Sequence, residues 1–189
     1  MPIIIDDAFA LLITWTTYGT WLPGDPRGHA SNIIDEDRRY ERRRGEFGAP
    51  YGSGDSHTLA RASRLQNDST VWLDRESAAV AAKAIVEACR ERGWRIRRAA
   101  LMANHAHVLI EDCGTDAGPV RRILKGVSQA KLSDHAGINR RWFTRGGSDR
   151  RKRGANAIAT AMRYVENQKG FLVRVAETAI VEEWPPRDA

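Results

Sequence analysis

Apolar and β-branched side chains run from Ala10 to Tyr18 (ALLITWTTY) and stop at Gly19, a pattern that predicts a first strand. From Gly19 to about Ser69 no hydrophobic period is sustained, and Gly, Pro, Arg, Asp and Ser dominate, so a long, mostly irregular insertion is expected. Between Asp74 and Arg92 the residues Ala79, Ala82, Ile85, Val86 and Cys89 recur at helical spacing. Asp74 is placed to cap that helix and Gly93 to end it. Trp94 to Ala103 and His105 to Asp112 predict two strands joined by a tight turn at Asn104. Pro119 to His135 carries Val120, Ile123, Leu124, Val127 and Leu132 on one helical stripe. A short strand is expected at Arg141 to Thr144, and a last helix from Ala155 to Gln168 with Ile158, Ala161, Met162 and Val165 inward. The order β, long loop, α, β, β, α, β, α describes an α+β fold with a mainly antiparallel sheet and packed helices.

A chain of 189 residues suits one domain with a real core. We expect that domain to span 1–189, with the insertion at about 19–70 and a short C-terminal extension at about 171–189. Lys and Arg number 30 against 24 Asp and Glu, a formal net charge of +6, which favours polyanionic partners and nucleic acid first. The apolar run Ala8 to Ile13 follows two aspartates and is too short for a secretory h-region, and no later stretch suits a membrane span. Cys89 and Cys113 lack metal-ligand spacing and read as free thiols. A cytoplasmic, nucleoid-associated protein is the expectation.

Two short segments carry candidate chemistry. On the second strand of the pair, His105 and His107 share a face, while Ala106, Val108 and Ile110 form the other. Two imidazoles on a packed strand need partners for their ring nitrogens; a metal ion or ordinary hydrogen bonds would serve. Tyr164 and Gln168 are four apart on the last helix and therefore share a stripe. A tyrosine there is ordinarily a packing residue. If strand and helix meet, however, a divalent ion held by His105, His107 and Gln168 would polarise a phosphate beside a phenol nucleophile.

Arg141, Trp142, Arg145, Arg150, Arg151 and Arg153 lie in a cationic stretch immediately before the tyrosine helix, with Phe143 and the Gly146-Gly147 pair among them. Arginines clamp phosphates and an exposed aromatic stacks an unpaired base, so this stretch is the expected DNA grip. Arg38, Arg39, Arg42, Arg43 and Arg44 in the insertion, and Arg95, Arg97 and Arg98 on a strand, add charge. Lys125, Ser128 and Gln129 cluster on the predicted solvent side of their helix, where phosphate contact competes with plain helix surface. The aromatic, Gly- and Pro-rich run Trp15 to Gly28 suits either a packed turn or substrate contact.

Taken together, Met102-Ala103-Asn104-His105-Ala106-His107, Leu124-Lys125-Gly126-Val127-Ser128-Gln129 and Tyr164-Val165-Glu166-Asn167-Gln168 resemble the motifs of the IS200/IS605-like single-tyrosine transposases of the HUH endonuclease superfamily, including the REP-associated relatives. The resemblance runs from Leu12 to about Gly170. It implies a ferredoxin-like antiparallel sheet, a homodimer, and Mg²⁺- or Mn²⁺-dependent cleavage of single-stranded DNA at hairpin or palindromic ends. It further implies Tyr164 as nucleophile, joined to the 5′ phosphate, with His105, His107 and Gln168 as metal ligands. The insertion departs from the shortest members. Two other readings stay open: an inactive, domesticated hairpin-binding protein, and a metal-dependent phosphodiesterase in which Tyr164 only packs.

Overall fold

A computed structural model describes residues 8–26, 33–34, 40–41 and 54–183, so Arg38, Arg39 and Arg42 to Arg44 lie outside the described residues. In chain order the elements are β1 (Phe9–Thr16), β2 (Ile33–Ile34), β3 (Tyr40–Glu41), α1 (Ser56–Arg64), α2 (Arg75–Glu91), β4 (Ile96–Met102) and β5 (His105–Glu111). After these come α3 (Ala117–Ala136), β6 (Ser148–Arg153), α4 (Ala155–Glu166), β7 (Phe171–Ala176) and β8 (Ala179–Glu183). The fold is α+β. Its sheet has six strands in the order β6-β1-β5-β4-β7-β8, with every neighbouring pair antiparallel.

The chain divides into two compact units, residues 1–17 with 72–189, and residues 18–71. The second spans the expected insertion, and it is less irregular than its composition suggests. It holds the β2–β3 pair and helix α1, whose N-cap Asp55 accepts from the backbone N–H groups of His57 and Thr58 at 3.0 and 3.2 Å. Gly24 has φ +83°, and a Cβ there would lie 2.4 Å from the Asp55 carbonyl oxygen, so no other residue fits that turn. Tyr18 closes the unit: its carbonyl accepts from Val71 N–H and its hydroxyl from Asn67 N–H.

In the first unit, period-two alternation on β1 sorts side chains to two faces. Ala10 and Leu12, with Leu109, Ala100 and Met102 of the neighbouring strands, bury against Ala161 and Val165 of α4. Leu11, Ile13 and Trp15 occupy the opposite face and are almost wholly removed from water, each worth roughly 1.5–3 kcal/mol of transfer free energy. Helix α2 begins as its sequence dictates, with the Asp74 carboxylate accepting from Ser77 N–H at 2.8 Å. Helix α3 ends at Gly137 in the left-handed conformation.

Three expectations need correction. The strand after α3 is Ser148–Arg153, not Arg141–Thr144, where Phe143 makes a lone bridge to Thr17. The tyrosine helix ends at Glu166 with Asn167 as its cap, so Gln168 lies just beyond it. The segment from 171 is no mere extension: β7 and β8 complete the sheet, and Phe171, Val173 and Val175 are core. The β7–β8 turn has Glu177 and Thr178 at φ 48° and 62°, the conformation of a two-residue hairpin turn.

Candidate active site

The α4 face of β1 changes character along its length. Ala10 and Leu12 are apolar, whereas Thr14 and Thr16 are polar, and these two sit directly opposite His107 and His105 on β5. Cross-strand partners share a face. The threonines therefore furnish oxygen atoms where the imidazoles need them. Thr14 Oγ1 lies 2.7 Å from His107 Nδ1. His105 Nδ1 donates to the side-chain oxygen of Asn104 at 2.6 Å. With its Nδ1 proton committed, His105 is left with Nε2 as its lone-pair nitrogen.

The two rings stand edge to face with centroids 5.0 Å apart. Helix α4 brings Tyr164 over them. Its ring centroid is 5.1 Å from that of His107, and its hydroxyl is 3.5 Å from His107 Nε2. Val165, next in sequence, is buried in the α4 core cluster, while Tyr164 remains 49% exposed, so the phenol stays open to a substrate. Burial holds the His105 imidazole down to about 4. Burial, with His105 as neighbour, takes His107 down to about 3, so both rings are neutral at pH 7.

Neutral imidazoles 5.0 Å apart, each with its Nδ1 held by a neighbouring oxygen, are of the chemical type that ligates a divalent ion. Among the described residues no group of three His, Cys, Asp or Glu gathers around one point. A third protein ligand would have to come from elsewhere, and Gln168 is the sequence's candidate. Its side-chain nitrogen donates to the Tyr164 carbonyl at 2.9 Å at the end of α4, a bond that does not engage Oε1.

Several residues of the expected DNA grip are engaged within the fold. Trp142 is buried, with its indole N–H donating to Ser133 Oγ at 3.0 Å, so it packs and presents no face to a base. Phe143 likewise packs edge-on against Trp15. Lys125 is not a free cation on the helix surface. It donates to the carbonyl oxygens of Thr144, Arg145 and Gly146, and Gln129 pairs with the backbone of Arg140 and Trp142. Ser128 is fully buried and donates to Leu124 O. These α3 side chains hold the 140–146 segment in place. Burial and the nearby Arg121 push Lys125 down to about 8, against Asp149, which favours its ammonium form.

Arg95, Arg97 and Arg98 are also committed, to Glu111, Glu166 and Glu177. Arg141 and Arg145 are exposed in the segment leading to β6, and Arg150, Arg151 and Arg153 are exposed on β6 itself. Sequence reasoning missed Thr14 and Asn104. The signal was present: two threonines alternating within an otherwise apolar strand, and an amide adjoining the first histidine.

No family model matches the chain, and no curated protein matches it. Its fold is similar to a solved structure of a REP-associated tyrosine transposase bound to a REP hairpin, with a TM-score of 0.42 and 10% sequence identity, covering 87% of this chain and 67% of that one. So distant a likeness bears on neither the chemistry nor the partners of this chain. No helix among the described residues is long and apolar enough to cross a membrane.

Proposed function

We propose that this chain cleaves and rejoins single-stranded DNA by transesterification, with Tyr164 as nucleophile. One observation carries the reading: the Tyr164 hydroxyl stands 3.5 Å from Nε2 of His107, beside a second neutral imidazole, on a half-exposed surface. The strand order β6-β1-β5-β4, with α2 and α3 as the connecting helices, supports a ferredoxin-like unit as the scaffold. The resemblance of the His105-Ala106-His107 and Tyr164 to Gln168 segments to HUH transposases supports the same chemistry.

In this reading the Tyr164 oxygen attacks the scissile phosphorus, the bond from phosphorus to the 3′ oxygen of the preceding nucleotide breaks, and that oxygen leaves as a 3′-hydroxyl with the proton the phenol gives up, so the DNA 3′ of the cut stays joined to Tyr164 through its 5′ phosphate. The bond energy is kept in the phosphotyrosine, so attack by a 3′-hydroxyl reverses the step without ATP. His105 and His107 would hold Mg²⁺ or Mn²⁺ through Nε2, with Gln168 Oε1 as a third donor; the ion would supply electrophilic activation of the phosphate. Thr14 and Asn104 fix the two rings. The net positive charge would draw the strand in, with a hairpin or palindromic end as the natural substrate, and in a homodimer each subunit would carry its own complete site.

The test is a denaturing gel of purified protein with a single-stranded hairpin substrate labelled on either side of the cut, in Mg²⁺ or Mn²⁺. A covalent adduct carrying the 3′ label supports the reading. Cleavage without an adduct supports the hydrolase, and binding without cleavage supports the inactive hairpin binder.

A further inference from the structure

The cationic stretch before the tyrosine helix is a strand, and a strand divides its side chains between two faces. On β6, Ser148, Arg150 and Lys152 lie opposite Thr14, Leu12 and Ala10 of β1, whereas Asp149, Arg151 and Arg153 lie opposite Ile13, Leu11 and Phe9. Leu12 and Ala10 pack beneath α4, and Thr14 contacts His107. The first set therefore shares the face of the histidines and Tyr164.

The second set is turned toward α3. The Arg151 guanidinium lies 4.5 Å from the Phe9 ring centroid and 3.4 Å from the carboxylate of Asp116, the residue before α3. Asp149 pairs with Arg121 of α3 at 2.7 Å. No such pair is made by Arg150 or Lys152 among the described residues. Two strand spacings, roughly 10 Å, separate β6 from the histidine strand, a span that an arginine side chain partly bridges.

Resting on the proposed function, we infer that Ser148, Arg150 and Lys152 form a phosphate-binding rim on the site face of the edge strand. The DNA backbone next to the cut would cross this rim on its way to Tyr164. Arg151 and Arg153 take no part. A run of like charges thus separates into a substrate-contacting set and a set that faces the other way.

The experiment measures fluorescence anisotropy of labelled oligodeoxythymidine across a salt series, for wild type and for Arg150→Gln, Lys152→Gln, Arg151→Gln and Arg153→Gln. A thermal melt of each variant confirms folding. Arg150→Gln and Lys152→Gln are expected to weaken binding several-fold and to make the dependence of log K on log salt shallower by about 0.7 per lost contact. Arg151→Gln and Arg153→Gln are expected to stay within twofold of wild type. Equal losses for all four variants, or none for Arg150→Gln and Lys152→Gln, would overturn the inference. A wild type that forms the tyrosine adduct but shows no difference between the two sets defeats the rim alone. A wild type that neither binds the oligonucleotide nor forms an adduct defeats the functional reading and the rim with it.

Discussion

Thr14 Oγ1 sits 2.7 Å from Nδ1 of His107, a contact made across the β1–β5 ladder between residues 93 apart in sequence. It fixes the imidazole whose other nitrogen faces the Tyr164 hydroxyl. Thr14→Val keeps the β-branched shape and removes the oxygen. We expect the variant to fold while its affinity for Mn²⁺ falls about 10–100-fold, the usual cost of losing a ligand's supporting hydrogen bond. Isothermal titration with Mn²⁺ measures this directly, and unchanged affinity would remove Thr14 from the site.

Tyr164→Phe deletes one oxygen from a half-exposed ring and leaves the packing of Val165 and Ala161 intact. Thermal stability should change little and single-strand affinity should persist. Nicking and adduct formation should both disappear from the denaturing gel. Continued cleavage by the variant would show that the phenol is not the attacking group.

The histidines also predict an acid limb in stability. Both have folded pKa values depressed from about 6.5, to about 4 for His105 and about 3 for His107. Below pH 6.5 the unfolded chain binds protons that the folded chain refuses, so stability falls as pH drops toward those values. The slope is up to about 1.4 kcal/mol per pH unit for each histidine. Urea midpoints at pH 7 and pH 5, compared between wild type and His107→Gln, should show a smaller acid loss in the variant.

Lys125 tests a different part of the molecule. Its ammonium donates to three successive carbonyls of the 144–146 segment, whose Thr144 in turn contacts Thr16 at the His105 end of the site. Lys125→Met preserves the length of the side chain and removes the donor. A loss of about 2 kcal/mol in urea unfolding is expected, in the range for hydrogen bonds to a charged group. An unaltered midpoint would mean that the segment is held by Gln129 and Trp142 alone.

Much of this architecture is legible in the amino-acid sequence. Helix α2 announced itself through Asp74 and Gly93, and the β4–β5 hairpin through Asn104, because caps and turns are set by a few local residues. Strand β6 was not legible. Its sequence, SDRRKR, has no apolar alternation, since an edge strand here needs only the backbone ladder to β1. On β7, Phe171, Val173 and Val175 alternate with partly exposed neighbours, a period-two signal in a segment whose brevity and position after Gly170 suggest only an extension.

At the candidate site, period two on β5 puts His105 and His107 on one face, and helical spacing puts Tyr164 on the flank of the apolar stripe. That they meet depends on α4 crossing the sheet face at His107, which no local rule encodes. The roles of Trp142 and Lys125 were misread for a related reason. Composition reports which groups are present, and only the fold reports which are already occupied by Ser133 or by carbonyl oxygens.

A single residue, Gly154, separates β6 from α4, with φ 79° and its N–H bonded to the carbonyl of Ala8. With so short a tether the helix returns over its own sheet, and Tyr164 meets the His107 of the same polypeptide. Molecularity follows from that connection. A reaction performed by this pair is first order in protein, so its specific rate should survive dilution to concentrations at which any oligomer has dissociated.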